Sequence, residues 1–222
     1  MFIKPIRLTL LNHLFYYTEI SGGTASATIT GGFLGDLALC YAFRNVLHEH
    51  EDAYLYRDAP AYEEIQDFGF YCTIARPSGQ VKRTESYIQN TLFNVDGFHD
   101  LKSIEKSGKS PFKNFRQVQG IAEGTSFEAL LLAKDKLQLP PTIRVGRAKE
   151  TLVKVEALTK AESDYWLNAF SLKVVYNNLQ QATDVLMREQ KVNFSYLLEN
   201  YGIIKNFTAT EVAEIFKPVF DA

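Results

Sequence analysis

The chain has 222 residues, 46% hydrophobic and 23% charged, with a net charge of −2. A chain of that length can bury a full core in one large domain, and this composition is that of an ordinary soluble globular protein. The charge balance excludes adhesion to nucleic acid or membrane by net charge alone.

Ile6, Leu8 and Leu10 alternate with Arg7 and Thr9, which predicts a half-buried strand leading into Phe15-Tyr16-Tyr17. Residues 21–32 are small and uncharged and read as a flexible lead-in. Phe33, Leu37, Cys40, Tyr41 and Arg44 then trace one helical face that fades near His48. Residues 46–67 carry seven acids against Arg57 alone, and Tyr54–Asp67 reads as an acidic connection. Phe70, Cys72 and Ile74 alternate with Tyr71, Thr73 and Ala75, a second strand expected to stop at Arg76-Pro77.

Residues 78–119 are polar, basic and rich in turn formers, with apolar islands at 88–95 and 98–104. A connection that long marks a functional insertion or a loop without fixed structure. Strands are predicted at Phe127–Ala133 and Ile143–Val155, joined through Leu139-Pro140-Pro141, and another at Phe170–Tyr176. The tail reads as helical: Thr208-x-x-Glu211 has the capping-box spacing, Val212, Ile215 and Phe216 share a face, and Pro218 is expected to end the helix. The order predicts an α+β fold on one antiparallel sheet, a single domain over 1–222 with an insertion at 78–119 and a C-terminal appendage at 160–222.

Cys40 and Cys72 lie in apolar surroundings without Cys-x-x-Cys spacing and read as reduced core residues. The opening Met-Phe-Ile-Lys-Pro-Ile-Arg lacks a signal-peptide hydrophobic region, and Asp36 and Arg44 interrupt the best apolar run. The expectation is a soluble, cytoplasmic protein with no membrane contact.

His48-Glu49-His50-Glu51-Asp52 resembles a metal box, but on a helix His48 and Asp52 share a face while His50 points elsewhere, so no metal is expected. Gly31-Gly32-Phe33-Leu34-Gly35-Asp36 lacks the Lys-Ser/Thr of a phosphate loop, and Asp36 competes with a phosphate there. The chain offers no recognisable nucleophile motif and no cofactor signature. His13, placed in the first strand, and His99, in the insertion, are the proton donors that a metal-independent ribonuclease would use, yet neither has a matching partner motif.

Cations are concentrated elsewhere. Residues 76–120 hold eight Lys/Arg against four acids, and residues 134–160 hold seven against three. The set Arg76, Lys82, Arg83, Lys113, Arg116, Arg144, Arg147 and Lys149 would track phosphates, with Tyr16, Tyr17, Phe112 and Phe115 as stacking rings. Gly146 lies between Arg144 and Arg147, where a missing side chain would let another molecule's backbone approach. Three readings follow: an RNA binder on these cations, a ribonuclease, or an assembly protein docking a basic neighbour through the acidic 46–67 segment.

Several stretches together resemble one family. They are Ile6-Arg-Leu-Thr-Leu-Leu-Asn-His-Leu-Phe-Tyr-Tyr, Asp36-Leu-Ala-Leu-Cys-Tyr-Ala-Phe, Tyr71-Cys-Thr-Ile-Ala-Arg-Pro, Gly124-Thr-Ser-Phe-Glu and Leu139-Pro-Pro-Thr-Ile-Arg-Val-Gly-Arg. Over residues 6–156 the chain resembles the Cas-five-type (Csc-one) subunit of type I-D CRISPR surveillance (Cascade) complexes. The resemblance implies a ferredoxin-like, RNA-recognition-type (RAMP) sheet with a thumb-like insertion at 78–119. It implies a non-catalytic subunit of an antiviral ribonucleoprotein, holding the five-prime handle of the CRISPR RNA beside the large and backbone subunits. Target DNA would be met indirectly, through the guide.

Overall fold

The computed structural model describes residues 1–15, 19–21, 27–47, 61–90, 115–146, 150–160, 164–176, 190–191 and 201–220. In chain order it contains β1 (Phe2–Leu10), β2 (Glu19–Ser21), β3 (Ala27–Ile29), α1 (Asp36–Leu47), a 3₁₀ turn at Tyr62–Phe68, β4 (Phe70–Cys72), β5 (Arg76–Pro77), β6 (Tyr87–Asn90) and β7 (Phe115–Gln119). There follow β8 (Ser126–Ala133), β9 (Thr142–Val145), β10 (Thr151–Ala157), β11 (Tyr165–Asn168), a π-helical turn at Ser171–Val175, β12 (Gln190–Lys191), β13 (Gly202–Phe207) and α2 (Ala209–Phe220).

The main sheet runs β4-β8-β1-β10-β9, antiparallel throughout, with β5 also pairing with β8. The alternation in β1 decides its faces. Ile6, Leu8 and Leu10 are buried, while Arg7 turns to the other face opposite Glu128 and Glu156. α1 carries the chain from β1 to β4, which lie on either side of β8 and run the same way. Leu37, Leu39, Cys40 and Phe43 of α1 join Ile6, Leu8, Phe127, Leu131 and Val153 in one core. The fold is therefore mixed α/β, with few helices on an antiparallel sheet.

Several expected elements differ. The run Ile143–Val155 is two strands, β9 and β10, antiparallel from Val145 opposite Thr151, with Gly146 leaving β9 at a φ of 84°. Strand pairing does not stop at Arg76-Pro77, because β5 pairs these residues with Glu128 and Phe127. The proline is tolerated there because β5 lies at the sheet's edge. Residues 27–29 of the supposed flexible stretch form β3, parallel to β7, in a second sheet ordered β2-β3-β7-β6. The ends of the 78–119 insertion thus enter a sheet as β6 and β7, antiparallel to each other.

Ser171–Val175 is helical, not extended. Its buried residues are Ser171, Leu172, Val175 and Tyr176 around an exposed Lys173, a helical spacing, and the Tyr176 N–H donates to the Ser171 carbonyl at 2.9 Å. The C-terminal portion is not simply helical either, since β11, β13 and β12 form a third, antiparallel sheet before α2. The capping box of α2 is built: the Thr208 N–H donates to Glu211 Oε2 at 2.7 Å, and the Glu211 N–H donates to Thr208 Oγ1 at 3.2 Å. Pro218 lies inside the helix, which continues to a buried Phe220. So near the helix end the missing N–H forfeits one bond, and packing outweighs it. Phe216 stacks on Tyr71 at 4.5 Å, and Val212, Phe216 and Phe220 belong to the same core as β1.

Candidate nucleic-acid interface

Beyond β1, the Leu14 N–H donates to the Ile121 carbonyl and the Ile121 N–H returns the bond, both at 2.9 Å. Ile121 also bridges to Arg83, so three extended segments, at 14–15, 120–121 and 83–84, lie side by side. Two glycines make this packing possible. A Cβ on Gly120 would stand 2.5 Å from both the Leu14 carbonyl oxygen and the Phe15 ring. A Cβ on Gly146 would stand 2.8 Å from Leu14 Cδ1 and 3.3 Å from the Phe15 carbonyl oxygen. The absent side chain of Gly146 therefore admits this chain's own Leu14-Phe15, a neighbour that the sequence did not reveal. The outcome is that the Gly146 turn and the Lys82-Arg83 segment flank one short stretch of backbone.

The cations divide between this edge and other places. Lys82 and Arg83 are exposed; the Lys82 carbonyl accepts from the Ala122 N–H at 2.8 Å, and Arg83 donates from its guanidinium to the Thr30 carbonyl. Arg144 is exposed on β9 between buried Ile143 and Val145, two residues before Gly146. Phe115 and Arg116 lie in β7, opposite Asn90 and Gln89. Tyr16, Tyr17, Phe112, Lys113, Arg147 and Lys149 lie outside the described residues. Arg76 is not with the others: its Nη2 is 3.2 Å from Glu128 Oε2 and its Nε 4.0 Å from Asp164, with the side chain 16% exposed. There it joins Arg7, 2.8 Å from the other Glu128 oxygen, in a charged row across β1, β8 and β5.

His13 lies past the end of β1, not within it. Its Nδ1 accepts the Glu123 N–H at 3.3 Å and its carbonyl accepts from Thr151 Oγ1 at 2.9 Å. The Glu123 bond orients the ring and the Thr151 bond fixes the His13 backbone, and among the described residues no acidic or basic side chain is hydrogen-bonded to the ring. His99 and the His48–Asp52 segment lie outside the described residues. Among the described residues no three His, Cys, Asp or Glu side chains gather as a metal site, and no helix is long and apolar enough to cross a membrane.

Asp36 is the residue whose role the sequence did not reveal. It opens α1 fully buried and accepts hydrogen bonds from Tyr71 Oη at 3.0 Å, Asn168 Nδ2 at 2.9 Å, Tyr201 Oη at 3.1 Å and Ser171 Oγ. Burial pushes its carboxyl above the ordinary range, and the hydrogen bonds from Ser171, Asn168 and Tyr71 oppose that shift. A helix start filled by this carboxylate holds the C-terminal portion against α1 rather than an anion. Cys40 and Cys72 are free and buried in contact, the Cys72 N–H 3.4 Å from Cys40 Sγ, and burial raises both thiols. Neither is a thiolate nucleophile.

A protein-family model described as "Type I-D CRISPR-associated protein Cas5/Csc1" matches residues 1–217. No curated protein matches the chain. Among solved structures it is similar to a chain of a "Type IV-B CRISPR Complex" at 9% identity, covering 72% of this chain and 92% of that one, with a TM-score of 0.38. It is also similar to a chain in the "Cryo-EM structure of the Type III-B Cmr-beta bound to cognate target RNA". There the identity is 8%, the coverage 97% of this chain and 89% of that one, and the TM-score 0.43.

Proposed function

The chain belongs to the type I-D CRISPR-associated Cas5/Csc1 family, and from that premise we propose that it is a non-catalytic subunit that grips the CRISPR RNA of an antiviral effector complex. The strand order β4-β8-β1-β10, with α1 crossing from β1 to β4, reads as a ferredoxin-like, RNA-recognition-type core in which β9 takes the place of the second helix. Residues 78–119 then form the thumb-like insertion, rooted in β6 and β7, and 160–222 the portion that docks the large and backbone subunits. The protein works in the cytoplasm and meets target DNA through the guide.

The observation that carries the RNA reading is the clamped Leu14-Phe15 segment. Gly120 and Gly146 hold it between Lys82-Arg83 on one side and the Arg144–Gly146 strand end on the other. Cation-bearing segments from distant parts of the sequence thus flank one stretch of backbone, which supports a surface that tracks a single strand's phosphates. Lys113, Phe115, Arg116, Arg147 and Lys149 are assigned to the same surface, with Tyr16 and Tyr17 as stacking rings that continue the clamped segment. Handle capping belongs to the same proposal, and membership of the Cas5/Csc1 family supports it.

Charge reversal at Arg83, Arg144, Arg147 and Lys149 tests the reading. The expected outcome is a folded complex that loses most of its guide RNA, measured as nucleic acid per purified complex. Full RNA retention in the fourfold variant refutes it. A metal-independent ribonuclease would cleave labelled repeat RNA in EDTA, and the backbone-bonded His13 predicts no product.

A further inference from the structure

We infer that His13, Phe15 and Tyr87 form a stacking step for an unpaired nucleotide base, at the foot of the β6–β7 ribbon. The inference rests on the RNA-binding reading above and adds a base contact to its phosphate contacts.

Phe15 is the fixed member of the step. Its ring lies over Gly120, where a Cβ would come within 2.5 Å of the ring carbon Cε1, so the glycine's bare backbone is its floor. Two rings stand edge-on to it: Tyr87 at 5.6 Å and 84°, and His13 at 6.5 Å and 88°. His13 is anchored through the Glu123 N–H, and Tyr87 is held in β6 opposite Val118. Yet Tyr87 is 44% exposed, its neighbour Ile88 is 71% exposed, and His13 is exposed as well. Rings whose planes are fixed by an inner partner, and whose surface is left in water, lose little freedom when a flat base settles on them.

The surroundings select a nucleotide over an apolar peptide. Lys82 and Arg83 lie on the segment that leads into β6, and the Thr84 N–H donates to the Gly120 carbonyl directly beneath Phe15 at 3.2 Å. Gln117 and Ser86, hydrogen-bonded to each other at 3.0 Å and exposed, lie with Ile88 on the other face of the β6–β7 ribbon, so Tyr87 is the ring that this ribbon offers beside the cations. Rings beside cations suit a base with its phosphate, and stacking on them does not depend on which base it is.

The test uses the full chain and a short single-stranded oligoribonucleotide carrying 2-aminopurine, whose fluorescence is quenched when it stacks on a ring. Tyr87→Ala is expected to weaken binding about tenfold and to relieve the quenching, with the salt dependence unchanged because no phosphate contact is lost. Tyr87→Phe is expected to restore both affinity and quenching. If Arg83→Glu abolishes binding while Tyr87→Ala binds and quenches as the unaltered chain does, the RNA reading stands and the stacking step is overturned. If Tyr87→Ala leaves oligonucleotide binding intact but releases a protein subunit from the assembled complex, the rings are a protein contact and the proposal is wrong. Absence of binding by the unaltered chain at low salt counts against the underlying RNA reading.

Discussion

Asp36 takes the energetic risk at the residue scale. A carboxyl raised by burial costs the folded state more to ionise than the unfolded chain. Its contribution to stability is therefore complete below the ordinary aspartate value of 3.8 and is lost as pH rises through its own raised value. Asp36→Asn removes that titration, so denaturant melts at successive pH values are expected to flatten over this window. Asp36→Ala strands three buried donors and the half-buried Tyr201 hydroxyl, and is expected to cost on the order of 2–3 kcal/mol. In the sequence Asp36 was visible only as an acid in a helix's first turn, because Tyr71, Asn168, Ser171 and Tyr201 lie 35 to 165 positions away.

The glycines make the same point about what sequence can carry. Gly146 was legible as a glycine with a job, but not that Leu14 and Phe15 are its occupants. Gly120 gave no signal, since its reason is a ring arriving from residue 15. Gly69, at a φ of 70° with nothing within 4 Å of an added Cβ, needs only its left-handed backbone. Gly69→Ala is expected to cost about 1 kcal/mol, whereas Gly120→Ala must displace the Leu14 backbone and is expected to cost several times more. Paired unfolding titrations compare the two directly.

Among elements, β1 was legible because one face is buried and the other polar, and α2 because its capping box is local. The β9–β10 split was hidden because the residues before and after Gly146 share an extended, alternating character and no proline stands between them. The second sheet was hidden because it joins residues 27–29 to 117–119. The charged row across β1, β8 and β5 decides the fate of Arg76, which sequence placed among the RNA cations. Buried Glu128 is shared by Arg76 and by Arg7, itself 44% exposed. Glu128→Ala is expected to cost roughly 2–3 kcal/mol, less than a fully buried pair because water screens Arg7. Arg76→Ala is expected to lower stability while leaving guide RNA retention intact; thermal melts and RNA yield from one preparation separate the two.

For the whole molecule, the proposed basic edge is one that folding builds from separate segments, not one that the net charge of −2 announces. The segments at 82–84 and 144–146 flank one stretch of backbone because β1 continues past Leu10 into a segment that both glycines accept, and we propose that their cations act together there. The family match over residues 1–217 puts that edge in a CRISPR-associated setting. The C-terminal portion is tied into the same core by Phe216 on Tyr71 and by the Asp36 bonds. The most direct measurement is ultraviolet crosslinking of guide RNA within the intact purified complex, followed by mass spectrometry of the adducts on this chain. The prediction is adducts confined to peptides spanning 13–17, 82–88, 113–116 and 144–149. Adducts on the Arg7–Glu128–Arg76 row, or none on this chain while neighbouring subunits crosslink, would contradict it.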